Sequence, residues 1–227
     1  MSELKKIVGY TAAEMARDGQ RLGLGTGSTV YFFLERLAER IKTESMKVAG
    51  IPTSVQTEEH ARRMGIPLLT FDDTQALDLY VDGADEITAG FDMIKGGGGA
   101  LLREKMVASA SARRVIIVDR SKVVERLGTT FALPVEVIPF GWRLCGLRLE
   151  QLGCGPALRM SGETAYVTNN GNYILDCRFP DGIADPAAME REINAIPGVI
   201  CCGLFIGLAD EVLVGSAEGV KRLTKPG

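Results

Sequence analysis

Histidine is all but missing from this chain: His60 is the only one in 227 residues. A Ser-His-Asp relay would have to use that residue, and a multi-histidine zinc site is excluded. His60 lies in "TSVQTEEHARRMG", a charge-rich helical pattern, and reads as an exposed bystander. Any acid–base chemistry therefore falls to a carboxylate or a lysine. Cysteine is sparse and shows no pairing pattern. Cys145, Cys154, Cys177, Cys201 and Cys202 are odd in number, all in the second half, with no C-x-x-C among them. They read as reduced, structural thiols rather than disulfides or metal ligands. Basic runs are absent, the formal net charge is -3 and the pI is about 5.4, which points away from nucleic acid as a partner. No stretch approaches the roughly 18–20 apolar residues of a membrane span. The opening "MSELKKIVGYTAAEMARDGQ" has neither an apolar signal core nor a cleavage site, so a cytoplasmic location is expected.

What is present is a core-building composition, 46% hydrophobic, enough for one large domain or two small ones. Strand-like and helix-like segments alternate through the first half. "SELKKIVGYTAAEMARD", "STVYFFLERLAERIKTE", "TSVQTEEHARRMG" and "ALLREKMVASASA" read as helices, with Ser28 or a neighbour capping the second and Gly65 closing the third. "RLGLG", "KVAGI", "IPLLTF", "LDLYVDGAD" and "RRVIIVD" read as strands between them. The pattern is α/β, a Rossmann-like doubly wound sheet with right-handed crossovers. The second half changes rhythm. "LPVEVIP", "FGWRLCGLRLEQLG", "PALRM", "NYILDCRF", "DPAAMEREINAIPG" and "VICCGLFIG" follow the order β-α-β-β-α-β of a ferredoxin-like α+β domain. Asp185 and Pro186 mark the start of its second helix. The tail "EVLVGSAEGVKRLTK" reads as a strand and a helix returning to the first domain. The expected division is 1–130 plus 207–227 for the Rossmann-like domain and 131–206 for the inserted one.

Ligands of a doubly wound sheet bind beyond the carboxyl ends of its strands, and three unusual loops fall there. "GLGTGSTVY" offers glycines, a helix start and the hydroxyls of Thr26, Ser28 and Thr29, which suit a phosphate. It is neither a P-loop nor a dinucleotide fingerprint: no lysine precedes the Ser-Thr pair, and Val30 stands where a third glycine belongs. Its plain alternative is a tight strand-to-helix turn. "YVDGADEI" sets Asp82, Asp85 and Glu86 after an apolar strand. Sugar hydroxyls or proton transfer suit it better than a metal, because the other loops bring lysines instead of further ligands. A solvated acidic turn is the bland reading. "IKGGGGALLREK" places Lys95 before Gly96–Gly99 and a helix whose first two turns hold Glu104. A flexible linker is the alternative, but a linker does not run into Leu101, Leu102, Met106 and Val107. "VDRSKVV" adds Lys122 at the end of the next strand, by itself an ordinary surface lysine. Together the loops describe an anion cradle, carboxylates and lysines on one edge, fit for a small phosphorylated polyol or sugar without metal.

These loops resemble those of ribose-5-phosphate isomerases of the A type. "GLGTGST", "YVDGADEI", "IKGGGGALLREK", "VDRSK", "LPVEVIP", "NNGNYILD" and "IPGV…GLF" occur in that family's order and spacing through nearly the whole chain. The resemblance implies conversion of D-ribose 5-phosphate to D-ribulose 5-phosphate in the pentose phosphate pathway, with no cofactor and no metal, in a homodimer or homotetramer. Carried over by motif, the substrate loops are Thr26-Gly27-Ser28-Thr29, Asp82-Gly83-Ala84-Asp85 and Lys95-Gly96-Gly97-Gly98, with Lys122 as a further contact and Lys5 near the phosphate. Glu104 takes the place of the proton acceptor. The implied mechanism is proton transfer from C2 to C1 through a cis-enediolate. Lys95 and the N–H groups of Gly96–Gly98 would stabilise that intermediate, and Asp82 or Asp85 would open the sugar ring and shuttle protons. Trp142, Cys201 and Cys202 depart from residues common in the family and bear on packing or assembly. Two other classes compete. A sugar-phosphate sensor would dispense with Glu104 and come joined to a DNA-binding segment. A coenzyme A transferase would use a glutamate nucleophile and need room for a long cofactor.

Overall fold

The computed structural model describes residues 2–225. The chain forms two compact units. The first runs to Ala84, resumes over Arg103–Lys122 and returns from Gly207; the second comprises Asp85–Leu102 and Val123–Ile206.

The first unit is built on a six-stranded sheet of order β15-β14-β6-β3-β1-β2. Its parallel strands are β2 (Ala49–Pro52), β1 (Arg21–Leu24), β3 (Leu79–Asp82), β6 (Arg114–Asp119) and β14 (Glu211–Ser216). Strand β3 is buried along its whole length and β6 through its middle, as expected of parallel strands covered on both faces. Helices α2 (Ser28–Thr43) and α3 (Val55–Met64) cross over between strands, and α1 (Ser2–Ala13) precedes β1. Val8 and Ala12 of α1 meet Phe33, Leu34 and Leu37 of α2 and Leu22, Leu24, Val81 and Ile117 of the sheet in one apolar cluster. Helix α3 ends as its sequence predicts, at Gly65 in the left-handed region (φ 78°).

The cap of α2 is Gly27, the neighbour of Ser28, without a side-chain bond. Two details of this unit differ from the sequence reading. "IPLLTF" makes a single bridge, Gly50 to Leu68, rather than a strand, because Pro67 removes a ladder donor. The tail is not a strand and a helix. Strand β15 (Gly219–Thr224) doubles back antiparallel on β14 from Ser216, so that a hairpin finishes the sheet. A two-residue connection, Ala217-Glu218, with Gly219 at φ 114° makes that turn, a conformation a helix continuing from β14 could not take.

The second unit carries an antiparallel sheet of order β12-β7-β11-β8. Its strands are β7 (Leu133–Val137), β8 (Gly155–Leu158), β11 (Tyr173–Arg178) and β12 (Val199–Cys202), with α5 (Trp142–Glu150) and α6 (Pro186–Asn194). Asp185 caps α6 through Ala188 N, with Pro186 following. A small hairpin, β9 (Met160–Ser161) and β10 (Thr164–Ala165), extends from β8. All five cysteines are buried thiols, none of them in a disulfide. A further three-stranded sheet pairs β4 (Glu86–Ile87), β5 (Met93–Ile94) and β13 (Leu204–Phe205). That pairing is why residues 85–102 group with the inserted unit, whereas the sequence division assigned them to the first. Residues 123–130 join it as well: Val124 N bonds Ile87 O, and Glu86 takes Gly128 N (2.5 Å) and Thr130 N (2.6 Å). Helix α4 (Leu101–Ser109) spans the passage of the chain from the second unit to the first.

Candidate active site

In the first unit, the end of β3 organises the loop that follows β1. Tyr80 and Asp82, two apart on the strand, share a face. The Tyr80 hydroxyl donates to Oδ2 of Asp82, while Oδ1 accepts from Thr26 N (3.0 Å) and Gly83 N (2.7 Å). Asp82 is fully buried. Gly25 makes this approach possible, since a Cβ there would overlap the Asp82 carboxyl. Burial holds the Tyr80 phenol well above its ordinary value, with the charges of Asp82 and Glu104 adding to the effect, so Tyr80 stays a donor. Glu104, on the first turn of α4, is itself only 4% exposed.

The hydroxyl of Thr26 turns away from solvent. It meets Thr53 Oγ1 (2.7 Å), Ser54 Oγ (2.9 Å) and Thr57 Oγ1 (3.2 Å), and Thr57 in turn donates to Gly25 O (2.8 Å). Sequence reasoning missed these partners. Their signal was present, a run of hydroxyls in "PTSVQT" straight after the next strand. Ser28 and Gly27 are exposed and Thr29 half-buried, at the open start of α2. Lys5 Nζ donates to Ser28 Oγ (2.9 Å), which brings a cation to this loop. Beside it lies a cavity of about 470 Å³ lined by Lys5, Gly27, Ser28, Tyr31, Phe32, Gln56 and His60. His60 is therefore not the exposed bystander its charged helix suggested. It is half-buried, edge-on to Tyr31 at 5.2 Å. Lys122 is half-buried at the end of the 3-10 turn that follows β6.

In the second unit, the acidic cluster splits into different roles. Asp85 is half-buried, and its Oδ2 accepts from Gly97 N (2.8 Å). Glu86 is fully buried and structural, since it also accepts from Thr130 Oγ1 (2.6 Å) and Phe131 N (2.7 Å). Lys95 is only 3% exposed, its ammonium 5.5 Å from the ring centre of Phe205. The glycine loop is a turn rather than an open row of donors. Gly97 N is engaged by Asp85, and Gly99 N closes back on Gly96 O (3.0 Å). Gly99 sits at φ 75° against Tyr166, so it shapes the turn and lets the ring approach.

Thr26–Thr29, Asp82–Ala84, Glu104 and Lys122 thus fall in the first unit, and Asp85 and Lys95–Gly98 in the second. A buried carboxylate on a helix start, a carboxylate fixed by three donors, and a hydroxyl-rich helix N-terminus with a lysine can exchange protons and hold an anion. Among the described residues, no three of His, Cys, Asp and Glu gather as a metal-ligand group.

Residues 49–219 match the family model described as ribose 5-phosphate isomerase A (phosphoriboisomerase A). The chain is 50% identical over 218 residues to ribose-5-phosphate isomerase A 1 of Oceanobacillus iheyensis, covering 96% of each. It is 45% identical to ribose-5-phosphate isomerase A of Bacillus mycoides, covering 98% of this chain and 100% of that one. Among solved structures, ribose 5-phosphate isomerase A of Methanocaldococcus jannaschii superposes with a TM-score of 0.94 at 41% identity, covering 98% and 99% of the two chains. A D-ribose-5-phosphate isomerase in complex with phospho-erythronic acid superposes at 0.95 with 40% identity, covering 98% of each.

Proposed function

We propose that Glu104 carries the proton in this chain, which belongs to the ribose 5-phosphate isomerase A family and interconverts D-ribose 5-phosphate and D-ribulose 5-phosphate. The observation that carries the role is a carboxylate 4% exposed, on the first turn of α4, within electrostatic reach of the buried Tyr80. Glu104 removes the C2 proton and returns it at C1 of a cis-enediolate, as carboxylate bases do in related sugar-phosphate isomerisations. The enediolate oxygens gain charge, which Lys95 and the glycine turn offset with a cation and a backbone donor.

The two aspartates divide the remaining work. Asp82 has no exposed surface and its oxygens already accept from Thr26 N, Gly83 N and Tyr80. It holds the loops in place. Asp85 is half-buried and accepts from Gly97 N, so ring opening and the proton shuttle between O1 and O2 fall to it. The 5-phosphate rests on the N–H groups at the start of α2, with Ser28, Thr29 and Lys5 around it. Thr26 supports that loop from behind. Lys122 is a further cation for the substrate.

The same reading takes the working form as a homo-oligomer in the cytoplasm. No helix of the described residues is long and apolar enough to cross a membrane. Leu144 and Leu147, each 58% exposed, form an apolar face on α5 beside Phe140, 88% exposed, a surface suited to a second copy. The decisive experiment is a coupled assay for ribulose 5-phosphate formation, with and without EDTA. Turnover of ribose 5-phosphate that persists in chelator is expected. No turnover overturns the activity, and loss with chelator overturns the metal-free mechanism.

A further inference from the structure

Arg159, directly after β8, grips the carbonyl side of the glycine turn. Its Nη1 donates to Gly96 O (2.9 Å) and Gly97 O (3.2 Å). Its Nε and Nη2 fork onto the two carboxylate oxygens of Asp176 on β11, at 2.9 and 2.5 Å. The side chains are 14% and 28% exposed, so the fork is largely shielded from water. The guanidinium carbon lies 5.8 Å from the ring centre of Tyr166, whose hydroxyl donates to Gly98 O (3.3 Å). Two side chains thus take three successive carbonyls of a segment that lies outside any strand or helix.

The direction of these bonds matters. In a trans peptide the C=O and the following N–H point to opposite sides, and the described peptides are all trans. A carbonyl of Gly97 held on Arg159 therefore aims the N–H of Gly98 away from Arg159. The flanking donors are engaged within the unit, Gly97 N on Asp85 and Gly99 N on Gly96 O. The clamp leaves Gly98 N as the donor it directs. Only arginine has the planar fork to hold a carboxylate and two carbonyls together.

We propose that Arg159, braced by Asp176, is a positioning residue for the isomerisation: it presets the Gly97–Gly98 peptide so that the Gly98 N–H meets the oxygen that becomes negative in the enediolate. The inference rests on the assignment of the glycine turn to the substrate given above. Its role is orientation ahead of the reaction, since a donor already in place costs no reorganisation when charge develops.

The test is steady-state kinetics of Arg159→Ala, Arg159→Lys and Asp176→Asn with ribose 5-phosphate, each beside a melting curve. Removing a preset donor lowers kcat by about 100- to 1,000-fold, so losing its support should lower kcat by about 10- to 100-fold in Arg159→Ala. KM should stay within about threefold, the split expected when an interaction matters mainly in the transition state. Phospho-erythronate, whose planar carboxylate imitates the enediolate, should inhibit less well in proportion to kcat. Inhibition by inorganic phosphate, which reports on the Thr26–Thr29 loop, should not change. Added guanidinium should restore part of the Arg159→Ala rate. A kcat near wild type in Arg159→Ala and Arg159→Lys sinks the inference, as does a loss in which KM and phosphate inhibition weaken as much as kcat. If Arg159→Ala fails to fold, Arg159→Lys and Asp176→Asn decide the matter by the same split. Failure of the wild-type chain to turn over ribose 5-phosphate would instead strike the isomerase reading.

Discussion

The phenol of Tyr80 donates to Oδ2 of Asp82 from two residues back on the same strand, with both side chains wholly buried. The pair explains how a carboxylate can sit at the end of an apolar strand. Its charge is met by the phenol and two backbone N–H groups, so its burial is compensated. It also makes Asp82 a loop anchor, and separates it from Asp85.

That separation is testable with two isosteric changes. Asp82→Asn removes charge-assisted bonds, each worth about 1.5–3 kcal/mol, so thermal or urea unfolding should show a loss of about 2–3 kcal/mol together with lower activity. Asp85→Asn should leave unfolding within about 0.5 kcal/mol of wild type, as for a change outside the core, while kcat falls. The reverse pattern would exchange their roles.

Alkaline pH should act on Tyr80. Its folded-state value is raised above 10, mainly by burial. Its contribution to stability is therefore complete below about pH 10 and is lost as pH rises toward the folded value, because only the unfolded chain releases the proton there. Tyr10, held up to about 12 first by its hydrogen bond to Glu35, titrates in the same window. The informative comparison is thus Tyr80→Phe against wild type. Unfolding free energy measured from pH 9 to 11 should fall less steeply in the variant, and equal slopes would deny the link.

Glu104→Gln keeps the shape and removes the proposed base. Its kcat should drop by on the order of 100- to 10,000-fold, with substrate binding retained. Wild-type turnover in this variant would take the proton away from Glu104.

Gly99→Ala asks an alanine to hold φ 75° and to share space with Tyr166. The left-handed conformation alone costs roughly 1–2 kcal/mol. Lower melting temperature together with lower kcat is expected. An unchanged kcat would detach the turn from catalysis.

The apolar face of α5 can be tested in solution. Leu144→Glu with Leu147→Glu should move the sedimenting species toward smaller mass. An unchanged mass would place the contact between copies elsewhere.

Most of the architecture was legible in the sequence because it depends on local signals. Apolar runs such as "RRVIIVD" and caps such as Asp185 and Gly65 describe their own elements. The tail defeated that logic. "GVKRLT" has charged residues that a helix or an edge strand accepts equally, and only pairing with β14 over Glu211–Ser216 decides between them. The site loops were legible as loops, since glycine, hydroxyl and carboxylate clusters stand out. Their inner wiring was not. That Thr26 faces Thr53, Ser54 and Thr57, that Glu86 serves residues 128–131, and that Arg159 holds Gly96 and Gly97 are contacts between segments far apart in the chain, with no local pattern to announce them.

Gly25 and Asp82 share one small volume: the side chain that one lacks is where the other keeps its carboxyl. Substitution of either alone creates a clash or a void, so the two positions are epistatic. In a deep mutational scan both columns should look intolerant, yet one is a hydrogen atom with no chemistry of its own. A double substitution that enlarges 25 and shrinks 82 would recover packing without recovering the three donors' anion. Selection on this loop therefore acts on a shape and a charge together, and a drifting lineage can leave this corner of sequence space only by changing both at once.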